Sequence, residues 1–265
     1  LDSTEVVTTS DFTKMVFRRL LPASTPISKI LYPFQFKPRL TLSAKTIRTR
    51  YGIAPDDFVV FFNFDYRSGF YRKNPEGVLR TFASALGDHA DAKLVFKTMR
   101  SKDYPTYATR LRALAQTLGI GNRIIFVDTF VPQDELIALT DACDVYISLH
   151  RGEGFGLGIA EAMSLGKPVV VTDYSAPTEF CNRENAITIP WSRVSVRADQ
   201  RDDIQAYHHV KTWSEPDLHV AANSLRKLYN DRGFAKELGE KGRLFINDYF
   251  SDANFKKSIE TFLSR

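Results

Sequence analysis

Very little in this sequence can cross-link, anchor or span. Two cysteines in 265 residues, Cys143 and Cys181, cannot staple a chain of this size, so a disulfide scaffold is excluded and a reducing, cytoplasmic compartment is expected. No apolar run approaches the roughly 18 to 20 residues of a membrane-crossing helix; the longest, such as Val169-Val170-Val171, are strand-sized. Leu1 is followed at once by Asp2, Ser3, Thr4 and Glu5, which predicts no signal peptide at this end, and the absence of an initial Met leaves the natural N-terminus open. Charge of one sign is only slightly in excess, with 36 Lys plus Arg against 31 Asp plus Glu. The basic residues are scattered, the densest cluster running from Arg67 to Lys73, so a nucleic-acid partner is not expected. A modest positive charge suits a phosphorylated small molecule, and leaves peripheral contact with an anionic membrane face open. Apolar residues, by contrast, make up 43%, with 20 Phe and 11 Tyr, enough to rule out a disordered chain.

Short apolar runs alternate with longer helical patterns through the middle of the chain. Residues 58–64 (FVVFFNF) read as a buried strand, β-branched, aromatic and uninterrupted. Residues 74–86 follow with Val78, Leu79, Phe82, Ala83 and Leu86 at helical spacing. Further strands are expected at 94–96, 124–127, 145–149, 168–172 and 186–189, with helices at 104–118, 132–142 and 155–165 between them. Strand and helix alternating in this way predict an α/β fold, a doubly wound Rossmann-like parallel sheet with helices on both faces. We expect it to occupy residues 40–235. Residues 1–39 read as the remnant of another domain (a strand tip at 5–8, a helix at 10–20 capped by Ser10 or Asp11) and a linker carrying Pro22, Pro26, Pro33 and Pro38. Residues 191–213 read as a polar surface excursion, and helices are expected at 218–229, 234–249 and 253–263, those of 236–265 closing the chain.

The chemistry concentrates in residues 148–171, SLHRGEGFGLGIAEAMSLGKPVVV. Open α/β sheets bind ligands where strands end and helices begin. Gly152, Gly154, Gly156 and Gly158 let a backbone approach a ligand closely, and the free N–H groups of the following helix face an anion. A diphosphate is the natural guest, with a tightly packed glycine turn as the alternative. The nicotinamide fingerprint fits poorly, because Ile159 stands where a third glycine belongs and the motif follows the fourth strand. A P-loop fails because no Gly-Lys-Ser/Thr follows. His208 and His209 have no acidic or cysteine partner at ligand spacing, so no metal is expected; His150 precedes the glycines and is within reach of a ligand there, and neither cysteine has a base beside it.

Glu153 and Glu161 stand seven residues apart in this segment, with Gly-Phe-Gly between them and Gly-Lys-Pro-Val-Val after the helix. This resembles the E-x7-E signature of retaining glycosyltransferases of the GT-B fold, glycosyltransferase family 4 (glycosyl transferases group 1), in their C-terminal donor-binding half. Arg72-Lys73-Asn74-Pro75 resembles the family's first basic loop, and Ser175-Ala176-Pro177 with Glu179 its small-residue loop. Trp213-Ser214-Glu215-Pro216-Asp217 resembles an element of bacterial polysaccharide members. Together these cover about residues 55 to 250 in the right order.

The resemblance implies roles residue by residue. Glu153 would hold the donor sugar, and Glu161, about 8 Å further along the helix, the ribose diol. Gly154 and the amides of Phe155, Gly156 and Leu157 would serve the phosphates. Lys73 would stabilise the leaving diphosphate. Arg67 has the spacing of the family's accompanying arginine, although Asp65-Tyr66-Arg67-Ser68 departs from the commoner pattern, and Arg72 is its alternative. Lys97 points toward the same crevice. No cofactor or metal is implied, only a nucleotide diphosphate sugar as donor: GDP-mannose is favoured and UDP-sugars remain open. The acceptor would be a saccharide or a lipid-linked sugar in bacterial surface polysaccharide or lipopolysaccharide synthesis, met at the cytoplasmic face of a membrane. Retention would proceed by front-face attack, with the acceptor side of the crevice supplied by the missing N-terminal domain. Two other classes fit less well: a sugar-nucleotide 2-epimerase of the same fold, and a non-catalytic nucleotide-binding module.

Overall fold

The computed structural model describes residues 5–31, 41–201 and 210–264. His208 and His209, Pro33 and Pro38, and the expected boundary at residue 39 lie outside them. The chain opens with β1 (Val6–Thr8), α1 (Asp11–Leu20) and β2 (Ile27–Lys29). Ser10 caps α1 by accepting the Thr13 N–H. The proline-bearing stretch read as linker therefore holds a strand, β2, which pairs in parallel with β1. Three residues are too few to reveal a strand by alternation.

There follow α2 (Ala44–Arg50), β3 (Phe58–Asp65), α3 (Phe70–Lys73), α4 (Pro75–Leu86), β4 (Ala92–Met99), α5 (Pro105–Thr117), β5 (Ile124–Val127) and α6 (Gln133–Asp141). The second half adds β6 (Val145–Ser148), α7 (Leu157–Ser164), β7 (Val169–Thr172), β8 (Ile187–Ile189), β9 (Trp191–Ser195), α8 (Ala198–Arg201), β10 (Thr212–Pro216), α9 (Leu218–Asn230), α10 (Arg232–Tyr249) and α11 (Asp252–Leu263).

Six of these strands form one sheet in the order β5-β4-β3-β6-β7-β8, every neighbouring pair parallel. The order reverses between β3 and β6, which are the first and fourth strands of the sheet. In a doubly wound sheet a crevice opens at that switch point, beyond the carboxyl ends of the strands. Strand period two separates the core into two layers. Phe58, Val60, Phe62 and Phe64 of β3 pack with buried residues of α4, α5 and α9, whereas Val59 and Phe61 face α2, α6 and α7. Both layers are apolar, so β3 reads as a continuous hydrophobic run.

One expectation about the second half needs correction. The segment 191–213 is no irregular excursion at its ends: β9 and β10 pair antiparallel, with Trp213 opposite Val194 and Trp213 buried. The partners are too far apart in sequence for a turn signal to announce them. The expected boundary between residues 235 and 236 falls inside α10, whose Ala235, Leu238, Gly239, Gly242 and Ile246 are buried and which packs along α7. Among the described residues, no helix is long and apolar enough to cross a membrane.

Candidate functional site

A cleft of about 580 Å³ opens at the switch point. Asn63 and Asp65 come to it from the end of β3, Tyr146 and Ser148 from β6, and Lys97 and Met99 from β4. The loop before α7 and its first turns form the opposite wall, from Glu153 and Phe155 to Ile159 and Glu161. Among the residues anticipated from sequence, the cleft brings together Glu153, Lys73, Glu161, Phe155, Gly156, Leu157 and Lys97.

Arg67, Arg72 and Gly154 do not line it. Arg67 is exposed on a single 3₁₀ turn, 66–68. Arg72 lies just behind: its guanidinium donates to the Ser68 and Gly152 carbonyls and reaches the Glu153 carboxylate at 3.3 Å. Gly154 turns toward α1, where its carbonyl accepts the Ser10 hydroxyl at 3.1 Å.

Local backbone chemistry sets the wall. Gly156 caps α7 with φ at +96°, a conformation side chains disfavour, and a Cβ there would sit 3.0 Å from Pro177. The first N–H groups of α7 have no intrahelical acceptors, and Gly156, Leu157 and Gly158 line the cleft at the positive end of the helix dipole. At Gly158 a Cβ would lie 2.6 Å from the Tyr146 hydroxyl and 2.8 Å from Asn63 Oδ1. Those two side chains are themselves joined, Tyr146 donating to Asn63 at 2.6 Å. They form a polar floor directly beneath the helix start.

Glu153 is held from several sides. Its N–H donates to Ser175 Oγ at 2.8 Å, and its carbonyl accepts from Ala176 at 3.2 Å. Ser175 adopts a positive φ of 67° to do this, which is the physical content of the Ser-Ala-Pro loop. Glu179 of the same loop turns away, accepting from the Phe12 N–H and pairing with Lys29 at 2.6 Å. The Glu153 carboxylate meets the Lys73 ammonium directly. Burial alone would raise its pKa, but the Lys73 and Arg72 cations bring it down to about 2. Lys73 is lowered from its ordinary value, chiefly by burial, with Glu153 opposing.

Glu161 is the contrast. Its carboxylate has no hydrogen-bond or ion-pair partner among the described residues, and partial burial pushes it up to about 7. Lys97, only 4% exposed, donates to the Thr98 carbonyl at 2.8 Å and is lowered by burial. His150 does not reach the cleft. It is fully buried, with Nε2 donating to the Tyr174 carbonyl and Nδ1 accepting from Ser148, both at 3.1 Å. Burial lowers it to about 4, so it is a neutral strut. Cys143 is buried and its thiol pushed up to about 12, and Cys181 is raised likewise, so neither is a nucleophile.

Sequence reasoning missed the floor and the rim. Asn63 and Tyr146 lie 83 residues apart, and only the β3–β6 pairing joins them. Phe130, on the loop after β5, is 81% exposed at the rim, where nothing in the sequence distinguishes it from a core phenylalanine. Among the described residues no group of three or more His, Cys, Asp or Glu could hold a metal ion.

The arrangement offers an anion a helix start and an ammonium, and offers hydroxyls two carboxylates. Comparison with known proteins agrees in kind. The family model described as Glycosyl transferases group 1 matches residues 44–194. D-inositol 3-phosphate glycosyltransferase of Acidothermus cellulolyticus is 32% identical over 127 residues, 46% of this chain and 28% of that protein. A serotype-specific mannosyltransferase of Escherichia coli is 25% identical over 156 residues, 58% of this chain and 18% of that protein. Anabaena HepE, solved with UDP and glucose, superposes with a TM-score of 0.76 at 18% identity, covering 99% of this chain and 63% of that one. The chain thus spans less than a third of the length of either of these two curated relatives.

Proposed function

The chain belongs to the glycosyl transferases group 1 family and has the architecture of one Rossmann-like half of a GT-B glycosyltransferase, and from that premise we propose that its cleft is the donor site of a retaining, metal-independent hexosyltransferase. The observation that carries the reading is the convergence of Lys73, Glu153, Glu161 and the start of α7 on one cleft. The donor's diphosphate lies against the N–H groups of Gly156, Leu157 and Gly158, where the helix dipole favours negative charge. Lys73, which pairs with Glu153, turns to the phosphates and stabilises the charge that develops on the leaving nucleotide. Glu153, freed from it, accepts hydrogen bonds from the sugar, and Glu161 from the ribose diol. Front-face attack then lets the leaving phosphate take the acceptor's proton.

Mannose is the favoured hexose and GDP the favoured nucleotide, supported by the mannosyltransferases among the relatives; UDP is the alternative, supported by HepE. The acceptor is a saccharide or lipid-linked sugar of surface polysaccharide or lipopolysaccharide, met in the cytoplasm or at the membrane's cytoplasmic face. We assign this chain the donor side of the reaction, the acceptor side falling to the N-terminal domain of such enzymes.

Thermal unfolding with GDP, UDP, GDP-mannose, UDP-glucose and UDP-N-acetylglucosamine tests this. A nucleotide at about 100 times its Kd stabilises the fold by about 2.7 kcal/mol. A midpoint shift with one nucleotide series, abolished in Glu161→Ala, is expected. No shift with any of them overturns the reading.

A further inference from the structure

Glu215, in the Trp-Ser-Glu-Pro-Asp element, does not line the cleft, yet it grips a residue that organises it. Its carboxylate takes Arg151 in a bidentate pair, Nε on Oε2 and Nη2 on Oε1, the latter at 2.8 Å. The remaining donors of Arg151 reach a different segment. Nη1 donates to the Tyr71 carbonyl at 2.6 Å, and the backbone N–H donates to the Arg72 carbonyl at 2.8 Å. Arg151 stands two residues before Glu153, and Tyr71 two before Lys73. One guanidinium therefore ties the loop carrying the cleft's carboxylate to the turn carrying its ammonium, and β10 holds that guanidinium in place. A planar fork clamped at both ends transmits position as a flexible ammonium would not.

We infer that Glu215 is a positioning residue for the donor diphosphate: through Arg151 it fixes the distance between Lys73 and the amide end of α7. The inference rests on the donor-site reading given above. Other ties join the same segments without Glu215, among them Asn74 Nδ2 to the Leu149 carbonyl at 2.8 Å, Arg72 Nη1 to the Gly152 carbonyl at 2.7 Å, the Arg151 N–H to the Arg72 carbonyl and the Lys73–Glu153 pair. Loss of Glu215 consequently shifts Lys73 and leaves the segments together. The nucleoside part of a donor, bound elsewhere in the cleft, does not feel that shift.

The test is a titration of GDP, UDP, guanosine and uridine into the wild type, Glu215→Ala and Glu215→Gln, followed by calorimetry for the nucleotides and by NMR for the nucleosides. The diphosphate that binds the wild type is expected to bind Glu215→Ala at least about tenfold more weakly, the scale of effect that misplaced groups produce. Its nucleoside keeps its affinity within about twofold, and Glu215→Gln, which retains one acceptor for Arg151, falls between. Equal losses for diphosphate and nucleoside mark a residue that only braces the fold, and overturn the inference, as does no loss at all. Should Glu215→Ala fail to fold, Glu215→Gln carries the same comparison. A wild type that binds neither diphosphate refutes the donor-site reading and this inference with it; a wild type that binds one, with no split in the variants, refutes this inference alone.

Discussion

Glu161 makes the sharpest prediction, because a half-buried carboxylate with no side-chain partner should cost stability where it is ionised. Partial burial raises its carboxyl from 4.5 to about 7 in the folded chain. The unfolded chain ionises near the ordinary value, so between the two pH values the folded state holds a proton that the unfolded state has released. Stability therefore falls as pH rises from about 4.5 to about 7, and the loss is complete above it. The rise corresponds to about 3 kcal/mol. Glu161→Gln keeps the size and removes the charge, so it should be more stable than the wild type by about that amount at pH 8 and by almost nothing at pH 4.5. Urea unfolding of both proteins across that range measures it. In a thermal scan the same difference is roughly 2–4 °C for each kcal/mol. An offset between the two proteins that does not change with pH would refute the reasoning, since it would show that the carboxylate finds a partner or water in the cleft. The stabilised variant should also lose nucleotide affinity, because a site residue held unpaired for a ligand trades stability for binding.

Three further outcomes follow from the geometry. Ligation by the Glu161 carboxylate requires its ionised form, so nucleotide affinity should rise with pH up to about 7 and level off above it, a trend that Glu161→Gln abolishes; calorimetry at pH 5.5, 7 and 8 reads it. Glu153→Ala leaves Lys73 and Arg72 without their shared anion and should cost about 3 kcal/mol at neutral pH in urea unfolding. That deficit narrows as pH falls from about 4.5 toward 2, because the wild type is then losing the same contribution. Gly239→Ala puts a Cβ 2.0 Å from the Gly166 carbonyl oxygen, against backbone that must move, and should destabilise by about 2 kcal/mol even after the gain in helix propensity.

What could be read from sequence divides along a physical line. Strands β3 and β7 are buried on both faces and announce themselves as unbroken apolar runs. The α7 wall was legible because Glu153, the glycines and Glu161 lie within one loop and one helix, where spacing in sequence is spacing in space. Arg72 and Lys73 lie side by side and share the Glu153 carboxylate, yet only Lys73 lines the cleft, because the Ser68 and Gly152 carbonyls hold the Arg72 guanidinium behind it. Arg67 has suitable spacing, but the 3₁₀ turn carries it outward. The contacts that escaped are those between distant strands or loops: Tyr146 with Asn63, Arg151 with Glu215, and β9 with β10. No local pattern encodes such pairs, since each partner alone looks like an ordinary polar or aromatic residue.

The central claim is that Lys73 and the start of α7 bind a nucleotide diphosphate without a metal ion. The most direct measurement is a calorimetric titration of GDP and UDP into the wild type and Lys73→Ala, each in buffer containing EDTA. One nucleotide is expected to bind the wild type in EDTA and to bind Lys73→Ala at least tenfold more weakly, a loss of about 1.4 kcal/mol or more. Binding that requires added metal, or that is unchanged in Lys73→Ala, would contradict that claim.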